Sequence, residues 1–139
     1  MSIMRLENGA SFIEMDVAFE QDVSLQSHGD ANVAFNLMSN GFGGHSKSWV
    51  YAEEFSAFRM ALIVLEQSLK GEATLESISP NELKLRIYAV NSRGYLAVEG
   101  ETGRSVLAQD KMFWHSVSFG FTFEPQQLRR ALSLSWLYP

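Results

Sequence analysis

A glycine-rich stretch with a lysine and two serines is the part of this sequence that most resembles a chemical motif. It reads "NGFGGHSKSWVYAEEF" and runs from Asn40 to Phe55. A phosphate-binding loop has the pattern G-x-x-x-x-G-K-[ST], in which glycines free backbone N–H groups to surround the phosphates. From Gly41, Lys47 falls on the required position, but Ser46 stands where the second glycine is needed. The dinucleotide pattern G-x-G-x-x-G fails at the same residue.

The residues that follow argue against nucleotide binding as well. A phosphate-binding loop opens directly into a helix, whereas Ser46–Tyr51 alternates like a strand that leaves a turn. The sequence therefore predicts a hairpin corner, in which Val33–Met38 leads out and Ser46–Tyr51 returns. Glycine tolerates positive φ, so the corner is assigned to Gly41, Gly43 and Gly44, as a structural turn or bulge.

Histidine, cysteine and serine offer no catalytic or metal-binding pattern. His28, His45 and His115 are far apart and none has a partner at the spacing of helical metal ligands. The chain has no cysteine, which excludes disulfides, thiolate zinc sites and cysteine nucleophiles. No serine lies in a G-x-S-x-G context. We therefore expect no metal, no cofactor and no catalytic residues, so that the protein is not an enzyme.

Four carboxylates at even positions near the N-terminus form the next candidate site. Glu14, Asp16 and Glu20 are predicted on one strand face, with Asp22 just beyond. Paired carboxylates can hydrolyse glycosides if one is buried, but this face is the polar one, so a solvated acidic stripe is the simpler interpretation. The alternative is a recognition surface for a basic protein partner.

The tryptophans are candidates for partner contacts because tryptophan is enriched at binding hot spots. Single tryptophans in small domains usually pack at the edge of the core, which is the expectation for Trp49 and Trp136. Trp114 lies beside Phe113 and next to a predicted surface loop at 101–111. It is therefore the tryptophan expected to be exposed, and it joins the four carboxylates as a candidate partner-binding residue.

Length and composition indicate one soluble globular domain. The chain has 139 residues, 46% of them hydrophobic and 19% charged, and we expect a single domain over 1–139. The net charge of −5 argues against nucleic acid as a partner, since phosphate neutralisation needs clustered Lys and Arg. No apolar run is long enough for a signal peptide or a membrane span, so we expect a cytoplasmic protein without membrane contact.

Hydrophobic periodicity predicts the elements that would position these residues. The clearest alternation is "SVSFGFTF" at Ser116–Phe123, and shorter alternating runs occur near 13–19, 32–37, 73–78, 83–88 and 95–99. Apolar residues from Phe55 to Leu69 recur at three- and four-residue steps, which predicts a helix, and Pro125 begins a second helix. The predicted fold is α+β: an antiparallel sheet of about six to eight strands, one long central helix and a short C-terminal helix.

The order of these features resembles the WapI-type immunity proteins and their uncharacterised bacterial relatives. The resemblance spans about Asn32 to Leu132. It is carried by "GFGG", a tryptophan strand, "EEFSAFRMALIVLEQSLKGEATLES", an L-x-L-x-I strand, "YLAVEGE", and an F-x-F-x-F strand that runs into "EPQQLRRAL".

The resemblance implies a protein that protects its bacterium from a contact-dependent toxin by binding and blocking it, without catalytic residues of its own. Such toxins are often basic nucleases, which an acidic inhibitor would suit. We therefore expect a non-enzymatic cytoplasmic binding protein whose partner is a basic toxin domain. Two alternatives remain open: a ligand-binding or enzymatic domain with a histidine in a pocket between helix and sheet, and a subunit of a homo-oligomer.

Overall fold

The computed structural model describes residues 3–91 and 94–137. These residues form two antiparallel sheets of four strands, each with its strands side by side in chain order. The first sheet contains β1 (Ile3–Asn8), β2 (Ser11–Phe19), β3 (Ala31–Ser39) and β4 (Phe42–Val50), and the helix α1 (Ala52–Ser68) follows it. The second sheet contains β5 (Glu72–Glu76), β6 (Leu83–Ala89), β7 (Leu96–Ala108) and β8 (Lys111–Phe123), and the helix α2 (Pro125–Ala131) follows it.

The α+β class, the antiparallel pairing and the two helices are confirmed, but the expected single sheet is in fact two. The helix α1 separates β4 from β5, and among the described residues the strands of each half form a sheet only with one another. Alternation could not show this, because a strand that buries one face has the same pattern whatever covers that face.

The core lies between the inward faces of the two sheets. Met15 and Val33 of the first sheet and Leu85 and Val98 of the second are buried there with their alternate neighbours. The rings of Phe35 in β3 and Phe119 in β8 meet across the sheets, with centroids 5.6 Å apart. Burial of apolar area at about 25 cal/mol per Å² makes this layer the main stabilising element.

The helix α1 closes one end of this core. Its buried residues are Phe55, Phe58, Leu62 and Leu65, which confirms the spacing predicted from the sequence. The C-cap residue of the helix is Leu69, whose φ of 54° is left-handed and whose N–H donates to the carbonyl of Leu65. None of the helices in the described ranges is long and apolar enough to cross a membrane.

The first turn of α1 is capped by a residue from a distant loop. Asp30 Oδ1 accepts the N–H of Ala52 at 2.9 Å, while Tyr51 at the N-cap position provides no side-chain hydrogen bond. A carboxylate in this place satisfies a free N–H group and favours the positive end of the helix.

Asp30→Ala is therefore expected to lower the free energy of unfolding by about 1 kcal/mol. Urea denaturation followed by circular dichroism measures this loss. Asp30→Asn is the matched control, since it keeps an acceptor oxygen and should lose less than half as much. An alanine variant as stable as the original protein would show that the cap contributes nothing.

The hairpin between β3 and β4 has its turn earlier than predicted. Asn40 and Gly41 are the central residues, with φ of 51° and 89°, and Ser39 pairs with Phe42. Asn-Gly is the pair that best accepts this two-residue turn. Gly41 thus lies in the turn, but Gly43 and Gly44 were wrongly assigned to it and lie inside β4.

Candidate functional site: an exposed hairpin arm and the cleft at its base

The strands β7 and β8 continue beyond the body of the protein as a two-stranded arm. The arm is defined here as residues 104–116, all of which are exposed. Pairing continues to Ala108 opposite Lys111, and the turn residues Gln109 and Asp110 have φ of 49° and 66°. The prediction of an irregular loop at 101–111 is therefore wrong, because residues 101–108 belong to β7 and pair with β8.

Large apolar side chains lie on both faces of the arm. Leu107 is opposite Met112 on the face that also carries Trp114, and Val106 is opposite Phe113 on the other face. All five are exposed, Leu107 by 64% and Trp114 by 47%. A two-stranded ribbon with both faces in water is marginal by itself, and Trp, Phe and Met are the residues enriched in the cores of protein interfaces.

Trp114 is held in place by the glycine at the base of the arm. Its indole ring lies against Gly103 so closely that a side chain at Gly103 would overlap the ring. Part of the indole thus packs against the backbone of Gly103 while the rest of the ring stays in solvent. Trp136 is buried, whereas Trp49 is 41% exposed rather than packed at the core edge as expected.

A cleft of about 210 Å³ lies between β4 and the base of the arm. Three glycines leave room for it, and its polar lining comes from three strands: His45, Ser46, Thr102, Arg104, His115 and Ser116. The two sheets are tied together beside it, where Ser46 Oγ and Thr102 Oγ1 are 2.5 Å apart. The hydroxyl of Thr102 donates to the carbonyl of Glu82 at 2.6 Å, so Ser46 is the donor to Thr102.

Two polar side chains at the base of the arm, those of Arg104 and His115, lie on the face that meets β4. Arg104 and His115 are directly opposite each other in the pairing of β7 with β8, so they share one face of the arm. Thr102 is on that same face and contacts Ser46. The cleft can therefore present the guanidinium of Arg104 and the imidazole of His115 to a bound group, which suits hydrogen bonding to an anion.

The structure separates the four candidate carboxylates. The strand β2 ends at Phe19, so of the four carboxylates only Glu14 and Asp16 lie on its outer face. Glu14 Oε2 is 2.9 Å from Arg5 Nη1, and Glu14 Oε1 accepts from Asn36 Nδ2 at 3.2 Å. The charge of Glu14 is thus balanced on the sheet, while Asp16 is exposed.

Glu20 and Asp22 shape the loop between β2 and β3. Glu20 Oε1 accepts the N–H of Asp22 at 3.1 Å. Asp22 Oδ1 accepts the hydroxyl of Ser24 at 2.7 Å and its N–H at 3.0 Å, and these hydrogen bonds lower the pKa of Asp22. The expected single acidic face is therefore not formed, since Glu20 and Asp22 lie in the loop beyond β2.

His45 and His115 both line the cleft, whereas His28 lies in the loop before β3. His45 and His115 belong to different sheets, and their spacing in the sequence carries no sign of this proximity. Across residues 3–91 and 94–137, no group of three or more His, Cys, Asp or Glu side chains could hold a metal ion.

Comparison of the chain with known proteins found no matching family profile, no matching curated protein and no matching solved structure.

Proposed function

We propose that this protein is a non-enzymatic binding protein that recognises another protein through the arm. The observation that carries the proposal is the exposure of five large apolar side chains on a ribbon that no other element covers within the described residues. Burial of such side chains against a partner is the usual source of binding energy at hot spots.

The resemblance to WapI-type immunity proteins supports a toxin domain as the partner. An arm that projects from the body can enter a concave active site, which a flat sheet face cannot do. In this proposal Trp114, Met112 and Leu107 fill the entrance of the toxin's active site and exclude its substrate, as an inhibitor in the cytoplasm of the producing bacterium. Trp114 is the principal anchor because its ring is already ordered against Gly103.

The acidic net charge of the protein also favours a basic partner, because it acts at distances beyond direct contact. The net charge of −5 attracts a basic domain before contact and speeds association. Glu14 contributes less than the sequence indicated, because Arg5 lies within ion-pair distance. The proposal therefore assigns the contact energy to the arm and the long-range attraction to the acidic body, to which Asp16 contributes.

The double variant Met112→Ser with Trp114→Ser is expected to lose the partner. In a pull-down from lysate of the native bacterium, followed by mass spectrometry, the original protein should recover one protein strongly. The arm variant should recover at least tenfold less of it, since hot-spot residues contribute about 2 kcal/mol or more each. The matched control is Met60→Ser with Val64→Ser on α1, where two apolar side chains are similarly exposed.

The control variant should bind the same protein as the original chain does. Equal recovery by the arm variant, or equal loss by the α1 control, would contradict binding through the arm.

The proposal that the partner is a toxin is tested on the protein recovered in the pull-down. Its activity should be blocked by the original protein and not by the arm variant. A partner whose activity is unaffected would refute the immunity role and leave the binding surface intact.

A further inference from the structure

The cleft differs in charge from the rest of this acidic protein. Among the described residues that line it, the titratable side chains are His45, Arg104 and His115, and none is a carboxylate. The chain as a whole has 16 acidic residues against 11 Lys and Arg. This concave site therefore presents only cationic or neutral side chains, although the protein as a whole is acidic.

Arg104 is also free to bind a ligand. Arg5, Arg86 and Arg129 each pair with a glutamate at 2.5–3.1 Å. In the part of the chain that the structure describes, Arg104 has no such pair and neither has His115 beside it. The unpaired guanidinium of Arg104 at the cleft is therefore available as a fork of donors for a planar or tetrahedral oxyanion.

We propose that this cleft binds an oxyanion, with Arg104 as the main donor and His115 as the second. A volume of about 210 Å³ accommodates a carboxylate or a phosphate group, since a water molecule takes up about 30 Å³ in the liquid. The group can belong to a free small molecule or to an acidic side chain of a protein seated against the arm. The site goes beyond the proposed protein binding and does not depend on it.

The test is an NMR titration of the full chain with sodium acetate and with sodium phosphate, at constant ionic strength set by sodium chloride. Saturable shifts are expected for the amides of Gly44, Ser46, Gly103 and His115. Arg104→Gln should weaken the binding about tenfold, because hydrogen bonds to a charged donor are the stronger class. Arg130→Gln on α2 removes the same charge from an exposed position away from the cleft and should leave the affinity unchanged.

Shifts that never saturate, that sodium chloride reproduces, or that persist at the same affinity in Arg104→Gln would overturn the proposal. Unchanged amide signals outside the cleft show that the variant is folded. N-acetyl-glutamate amide identifies the source of the group: tighter binding than acetate indicates an acidic side chain of a partner, whereas tighter binding of phosphate indicates a free phosphate compound. The arm variant in the pull-down tests the proposed function separately, so either proposal can fail alone.

Discussion

Replacing Phe55 by alanine is expected to lower the free energy of unfolding by about 3–5 kcal/mol. Phe55 is only 1% exposed, and its ring contacts one ring from its own helix and two from distant parts of the chain. The centroid of Phe19 at the end of β2 lies 5.4 Å away in an edge-on arrangement. Phe58 and Trp136 each lie 6.0 Å away. Truncation leaves a cavity where the helix, the first sheet and the C-terminal segment meet.

Urea denaturation followed by circular dichroism measures this loss, and the midpoint of thermal unfolding should fall by about 10–15 °C. Phe55→Leu refills most of the volume and should lose about 1–2 kcal/mol, so it gives a value even if the alanine variant fails to fold. Met60→Ala is the control on the same helix, at a position 59% exposed. If Phe55→Ala lowers the free energy of unfolding by less than about 1 kcal/mol, the contacts around Phe55 do not unfold cooperatively with the core.

The helix around Phe55 could be predicted because its signal is local. Phe55, Phe58, Leu62 and Leu65 recur at helical spacing and all face the core. The strands were predicted for the same reason, since alternate burial is visible within a few residues. The division into two sheets depends on which strands pair across the chain, and that choice leaves no mark on the alternation of a single strand.

The sequence does not predict the arm because a strand exposed on both faces lacks the alternation of apolar and polar residues. A strand reveals itself by burying one face, but residues 104–116 bury neither face. Its turn, Gln109-Asp110, has the left-handed φ values of a two-residue hairpin without the Asn-Gly pair that normally predicts one. The exposed Trp114 was nevertheless found, because it follows directly on Phe113 in a segment without an apolar period.

Neither the cleft nor the ion pair beside the acidic stripe could be predicted from the sequence. Asn8 pairs with Ser11, so the first hairpin turns at Gly9-Ala10 and Arg5 is opposite Glu14, whereas a turn at Asn8-Gly9, which the Asn-Gly pair favours, would place Arg5 opposite Phe12. The presence of His45 and His115 at one cleft requires the packing of β4 against the base of the arm. Sites between two sheets arise from contacts that are long-range in sequence.

Replacing Gly100 by alanine is expected to destabilise the protein by about 3 kcal/mol. Gly100 lies in β7, opposite Leu85 of β6 and Phe119 of β8. A methyl group at this position would overlap the carbonyl oxygen of Lys84 in β6. Because that neighbour is backbone, relief requires the two strands to separate and their hydrogen bonds to lengthen. Only glycine lets β6 approach β7 this closely.

Gly120→Ala is the matched control in the neighbouring strand. A methyl group there would lie 3.4 Å from Glu99 Cβ, an ordinary contact. Both substitutions reduce the freedom of the unfolded chain equally, which by itself stabilises by about 0.4–1 kcal/mol. The difference between the two variants in urea denaturation therefore measures the close approach at Gly100 alone, and equal stabilities would contradict it. Gly100 also precedes the arm, so in Gly100→Ala the amide signals of residues 104–116 should shift, whereas Gly120→Ala should leave them in place.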